Sequence, residues 1–379
     1  MPAAERRVLL VVSDDHGELS NAVWLLLGRR FEAELLLTPR LLALNPDVLP
    51  APAHSYTSVQ EVIDATQRLR PDAVFLLSGY LYAANGIFAI DGMHELTQAL
   101  RALNTRIVTS DPFLGLLSNV TSAIATSDSN QQQLLQKLSA AGSALKHEWH
   151  LYPVMPESPP PERRVAFFNP RMLVPESDRA ALRNGLAIHM PLDLHRLRWL
   201  YVLASEDYAL QTALHGRAAF HGLLVQRLED AHRHGRQPVL IAPQACADAV
   251  RRASNGIPGA LLLSFCSHGM FLGLLLEAEY AFYWNVFANS VPSRLVNRLP
   301  VFFFDRGHMA RAIPALLELG LQSYYPGVQF PLLDIGQVID PEALVPYAQR
   351  EIASLTTAVR HLRAGATPDD MLETVLAET

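Results

Sequence analysis

The sequence predicts an α/β protein of two tandem domains, each a parallel sheet wrapped by helices, with a C-terminal helix packing back on the first domain. Three observations predict it. Short apolar runs alternate with longer stretches of helical period, as in βα units whose strands are covered on both faces. A proline-rich breaker, Met155-Pro-Glu-Ser-Pro-Pro-Pro-Glu162, separates two such series. The 379 residues, half of them apolar, are long for one domain and sufficient for two of roughly 150–200 residues.

The first series places strands at Arg7–Val12, Ala33–Thr38, Ala73–Ser78 and Arg106–Ser110. Helices fall between them at Leu19–Arg30, Val59–Arg70 and Gly92–Asn104, and Gln131–Leu145 with Trp149–Pro153 closes the half. Arg164–Phe168 reads as one more strand and Pro170–Leu194 as a polar, helix-like stretch, so the linker lies between 154 and 196. The second series has strands at Trp199–Ala204, Pro238–Ala242, Ala260–Phe265, Tyr280–Trp284 and Val301–Phe304. Its helices are Ala218–His234, Cys246–Ala253, Met270–Leu276 and Pro292–Arg298. Pro341–Arg363 is the helix expected to return to the first domain. The domains are therefore 1–160 and 196–340, both Rossmann-like, with 341–379 crossing back.

Composition excludes several classes of function. A net charge of −6 argues against a nucleic-acid binder, which needs basic surface to displace phosphate counterions. The two cysteines, Cys246 and Cys266, have neither disulfide-framework nor metal-ligand spacing, and a reducing cytoplasm is the expected location. The opening residues run directly into Val8–Val12, so no export signal is expected. The longest apolar stretch, Gly259–Tyr283, contains Ser264, Ser267, His268, Glu277 and Glu279 and does not read as a membrane span. Peripheral membrane contact stays open.

In open parallel sheets, ligands bind beyond the carboxyl ends of the strands. Ser13-Asp14-Asp15-His16-Gly17 follows the first strand. His16 has the pKa range of a general base, Asp14 or Asp15 can orient its ring, and Gly17 permits a tight turn into the helix. Simple helix capping by either aspartate is the alternative. Asn289-Ser290-Val291-Pro292-Ser293-Arg294 opens a later helix, where unpaired N–H groups and the dipole favour a phosphate. Asp305-Arg306-Gly307-His308 follows Val301–Phe304 and suits sugar hydroxyls and phosphate, or merely makes a turn. Ser205 and His268 each follow a second-domain strand and are further donor-side candidates. Tyr80, Tyr82 and Asn85 lie on a loop that offers stacking faces and hydroxyls to an acceptor, or packs as ordinary surface. Spaced-glycine dinucleotide fingerprints, Walker loops and Gly-x-Ser-x-Gly elbows are absent, as are Asp-x-Asp pairs and other metal-ligand groupings.

The run Asn289-Ser290-Val291-Pro292-Ser293-Arg294-Leu295-Val296-Asn297-Arg298-Leu299-Pro300-Val301 resembles the donor-site signature of GT-B glycosyltransferases. There an Asn-Ser or Gly-Ser pair opens a helix and a Gly-x-Pro-Val strand follows after about one and a half turns. The resemblance implies that Ser290 and adjacent amides hold the nucleotide's phosphates, with Asp305 and His308 near the sugar. His16 matches the histidine that follows the first strand in inverting members. Ser293 stands where many members carry Glu, and Asn285 and Phe287 occupy the place of the family's His and Gly. The implied activity is metal-independent, inverting transfer from a nucleotide sugar, a co-substrate rather than a cofactor, to an acceptor hydroxyl. The acceptor would lie on the first domain and the donor on the second. A sugar-nucleotide epimerase of the same fold and a non-catalytic two-lobed binding protein are the alternatives.

Overall fold

The computed structural model describes residues 6–377 apart from 15, 27–30, 46–48, 112–128, 153–162, 168, 170–171, 191–195, 255, 265, 305–320, 323–324, 328–331 and 351–365. The chain forms two compact units, Met1–Arg171 with His361–Thr379, and Met172–Arg360. The return to unit 1 begins at His361 rather than at 341. Helical residues 341–350 instead belong to unit 2, because Leu344 and Ala348 bury there with Ile335 and Ile339.

Unit 1 is built on strands β1 (Arg7–Val12), β2 (Glu32–Leu37), β3 (Ala53–Ser55), β4 (Ala73–Leu77), β5 (Arg106–Ser110), β6 (Trp149–Tyr152) and β7 (Arg164–Ala166). All pair in parallel, in the order 3-2-1-4-5-6-7. Helices α1 (His16–Leu26), α2 (Pro39–Leu44), α3 (Val59–Leu69), α4 (Gly92–Ala102) and α5 (Ser129–Leu145) connect them. Alternation along the strands sends Leu9, Val11, Val74 and Leu76 to the face that packs on Val62, Leu96 and Leu145. A capping box starts α3: the Ser58 hydroxyl accepts from Glu61 N–H, and the Glu61 carboxylate accepts from Ser58 N–H. Helix α12 (Pro368–Ala377) completes the unit, burying Met371, Leu372 and Val375.

Unit 2 repeats the plan with β8 (Arg198–Val202), β9 (Gln237–Ile241), β10 (Leu261–Leu263), β11 (Tyr280–Tyr283), β12 (Val301–Phe304) and β13 (Leu332–Leu333). These are parallel, in the order 10-9-8-11-12-13. Its helices include α6 (Glu176–His189), α7 (Ser205–His215), α8 (Arg217–Arg233), α9 (Gln244–Ala253), α10 (His268–Glu277) and α11 (Ser290–Val296). Aromatic rings form its core: Tyr201 stacks on Phe282 at 4.9 Å, and Trp284 meets Phe304 at 4.9 Å. Gly273 lets α10 approach α6, since a Cβ there would stand 2.9 Å from Leu186.

Strand order reverses between β1 and β4 in unit 1, and between β8 and β11 in unit 2. Each reversal creates a switch point at which loops diverge and a ligand finds room. No described helix is long and apolar enough to cross a membrane.

Candidate functional sites at the strand ends

In unit 1 the chain leaves β1 through Ser13 and Asp14 and enters α1 at His16. The His16 backbone therefore stands at the switch point, as the first residue of the helix. Its side chain, like all of Asp15, lies outside the described residues. Gly17 does not form the expected turn, because the helix begins before it and contains it. Asp14 is engaged elsewhere: its carboxylate accepts from the Thr38 hydroxyl at 2.7 Å and pairs with Arg40, tying the end of β1 to the start of α2.

Glu18, two residues beyond His16, was not anticipated. It is buried, and its Oε1 accepts from Ser78 Oγ at 2.5 Å and Ser110 Oγ at 3.0 Å, while Oε2 accepts from Asn21 Nδ2 at 3.2 Å. Asn169 Nδ2 in turn donates to Asn21 Oδ1 at 3.1 Å. Ser78 and Ser110 close β4 and β5, so this carboxylate pins the first turn of α1 to the ends of two neighbouring strands. Ser78 adopts φ 52°, a left-handed conformation uncommon outside glycine. Its N–H donates to Ser110 Oγ at 2.6 Å. The sequence signal was present: a serine ends each apolar run, and a glutamate follows the His-Gly pair in the helix's first turn.

Tyr80 and Tyr82 are corrected. Both are fully buried, with Tyr80 Oη 2.9 Å from His150 Nε2 and Tyr82 Oη donating to Val11 O at 2.8 Å. They belong to the core rather than to an acceptor loop. Asn85 is exposed on the turn that follows. His150 sits in this core with Nδ1 2.9 Å from Glu148 O, and burial pulls its imidazole down to about 4.

In unit 2, Ser205 is exposed as the first residue of α7, and His268 is half-buried as the first of α10. Ser267 caps α10 by accepting from Met270 N–H at 3.3 Å. The expected phosphate cradle at α11 differs from its prediction. Asn289 precedes the helix without a side-chain cap, and Ser290, Val291, Ser293 and Arg294 are all buried. Val291 N–H bonds to Ala288 O at 2.8 Å, and Pro292 has no N–H, so two of the first three positions offer no amide to an anion. Ser293 Oγ turns back to Asn289 O at 3.4 Å. Ser290 lies beside Tyr283, whose phenol burial pushes up to about 12 while the Arg294 charge and the Ser290 hydroxyl pull it down.

Arg294 is a second correction. It is fully buried and donates five hydrogen bonds to the carbonyls of Leu275, Ala278, Glu279 and Pro300, at 2.6–3.2 Å. Its guanidinium closes the C-terminal end of α10, where carbonyls and the dipole favour a cation, and so it does not face a phosphate. Asp305, Gly307 and His308 lie outside the described residues.

No family profile matches this chain, and no curated protein matches it. Solved structures do. A UDP-GlcNAc 2-epimerase from Neisseria meningitidis bound to UDP-GlcNAc is 10% identical, with 99% of this chain and 100% of that chain covered and a TM-score of 0.59. The glycotransferase of kitacinnamycin is 14% identical over 98% and 99% of the two chains, with a TM-score of 0.54. The calicheamicin glycosyltransferase CalG4 is 13% identical over 99% of each, with a TM-score of 0.51. At these identities the likeness establishes the fold. The chain has the two-domain, Rossmann-like GT-B fold over its whole length.

Proposed function

We propose that this chain is an enzyme acting on a nucleotide sugar, and that it transfers the sugar to an acceptor hydroxyl. The observation that carries the reading is the likeness along 98–99% of the chain to nucleotide-sugar proteins, one of them solved with UDP-GlcNAc bound. The nucleotide sugar is assigned to unit 2 and the acceptor to unit 1. His16 removes the acceptor proton as the anomeric carbon is attacked, which the switch-point position of its backbone supports. The donor-side residues of this reading are Asn289, Ser290 and Ser293 with Ser205, His268, Asp305, Gly307 and His308. Arg294 is excluded by its internal bonds.

Epimerisation of a UDP-sugar is the second reading. The epimerase superposes with a TM-score of 0.59 against 0.54 and 0.51 for the two glycosyltransferases. Buried carboxylates at the strand ends of unit 1, Glu18 and Asp111, also suit acid–base chemistry on a sugar. Incubation with UDP-GlcNAc and other nucleotide sugars separates the two. Transfer predicts nucleoside diphosphate released in step with glycosylated acceptor. Conversion of the sugar with no acceptor present identifies an epimerase, and inertness toward every nucleotide sugar contradicts both.

A further inference from the structure

Helix α1 is held in unit 1 mostly by apolar side chains: Leu19, Ala22, Val23, Leu25 and Leu26 are buried along it. Burial of this kind keeps the helix down but tolerates sliding and rotation, because apolar contact has no preferred direction. Glu18 is an anchor of a different kind. Taking a carboxylate out of water is costly, and one more apolar residue would hold this turn without that cost. Stability alone therefore does not account for Glu18. Its hydrogen bonds add what apolar contact lacks, a fixed distance and direction.

The bonds close a ring. Ser78 Oγ and Ser110 Oγ both donate to Glu18 Oε1, at 2.5 and 3.0 Å, and Ser110 Oγ accepts from Ser78 N–H at 2.6 Å. Within the ring Ser78 keeps its left-handed conformation, φ 52°, and strain of this kind persists only where neighbouring bonds over-determine it. Glu18 Oε2 accepts from Asn21 Nδ2 at 3.2 Å, and Asn169, beyond β7, donates to Asn21 Oδ1 at 3.1 Å and to Ser20 O at 3.2 Å. The start of α1 is thus held from β4, β5 and the segment after β7 at once. Asp14, the described carboxylate between β1 and α1, bonds to Thr38 and Arg40 and ties β1 to α2 instead.

We infer that Glu18 is a positioning residue: its bonds to Ser78 and Ser110 set where the first turn of α1, and with it the backbone of His16, stands against the ends of β4 and β5. His16 and Glu18 share that turn, so a shift of the anchored carboxylate carries the His16 backbone with it. A displacement of about 1 Å is enough to slow a reaction about 100-fold when the misplaced group takes part in it. The inference rests on the proposed function in taking His16 as the base. Glu18 itself takes no proton and touches no substrate.

The test uses the full chain and steady-state turnover of the nucleotide sugar that the parent accepts best, with Tm and UDP affinity recorded for every variant. Glu18→Asp keeps the charge and shortens the tether by one methylene, so the two serines are reached only if the turn moves. It should lower kcat about 10–100-fold, with KM for the nucleotide sugar and UDP affinity within about twofold of the parent. Glu18→Gln keeps the length and an oxygen for both serine hydroxyls, and its kcat should stay within about fivefold of the parent. In a His16→Ala background Glu18→Asp should lower kcat less than about threefold, because the group it misplaces is gone. Should Glu18→Asp fail to fold, Ser110→Ala takes its place in the same comparison, with an expected loss of about three- to tenfold for one hydrogen bond. A kcat unchanged in the tether variant, a loss in Glu18→Gln as deep as in Glu18→Asp, or equal losses with and without His16 overturns the inference. Equal losses are what a purely structural tether would give. If the parent turns over a nucleotide sugar and these comparisons fail, the inference falls alone; if the parent turns over none, the proposed function falls and the inference with it.

Discussion

A guanidinium that is fully buried and bonded to four carbonyls cannot be removed without leaving those carbonyls bare. Arg294→Ala should therefore destabilise the protein by about 3 kcal/mol or more, read as a shift in urea midpoint. Conditions that keep the variant folded should leave its UDP affinity within about twofold of the parent. A large affinity loss with unchanged stability would restore the phosphate role that Arg294 has in the sequence pattern. His150 makes a pH prediction of a different kind. Its imidazole titrates at about 4 in the fold and near 6.5 when unfolded, so between those values the unfolded chain binds more protons. Stability is then full above pH 6.5 and declines as pH falls toward 4, by about 3 kcal/mol at the limit. His150→Phe should flatten that stretch of the stability–pH curve, and an unchanged slope would show that another group titrates there. Single residues were the least legible feature of the sequence. Nothing in the Asn-Ser-Val-Pro-Ser-Arg run says that the arginine turns inward, because helical position alone does not reveal which neighbour ends at the same place.

Elements were far more legible, and the reason is length. Strands buried on both faces leave continuous apolar runs, so β1, β5 and β12 appear in the sequence with the bounds they have in the fold. Elements too short to show a period, such as β3 and β13 at the sheet edges and α2, left no such trace. Helix α1 starts at His16 rather than Leu19, so Gly17 lies inside it rather than at a turn before it. Of the helix expected over Pro341–Arg363, residues 341–350 pack in unit 2, and α12 is the C-terminal helix that lies in unit 1, since an amphipathic face does not state which core it meets. Where β4 ends, Gly79 packs so tightly that a Cβ would stand 2.6 Å from Thr109 Oγ1 and 3.0 Å from Leu145. Gly79→Ala should cost about 1–3 kcal/mol by forcing Thr109 from its bonds to Gly79 N–H and Leu76 O. Thermal melts will show it; a variant as stable as the parent would mean the β4 turn relaxes freely.

At the scale of the whole molecule, two sheets of Rossmann order with a chain that returns to its first unit were legible from the alternation of runs, and the solved structures agree in fold over the full length. Activity was less legible, because transferases and epimerases share this fold and differ in a few side chains. His16→Ala is expected to lower turnover of the nucleotide sugar about 100-fold or more while nucleotide binding stays near normal, since the histidine is assigned to proton removal and not to the donor. Equal turnover in variant and parent would remove His16 from the chemistry. The central claim, that this molecule binds an activated sugar through its nucleotide diphosphate, is tested most directly by calorimetric titration of nucleoside diphosphates against their nucleosides. The account predicts that one diphosphate, with UDP the first to try, binds at least about tenfold more tightly than its nucleoside. Equal affinities, or no binding across UDP, dTDP, GDP, CDP and ADP, would contradict it.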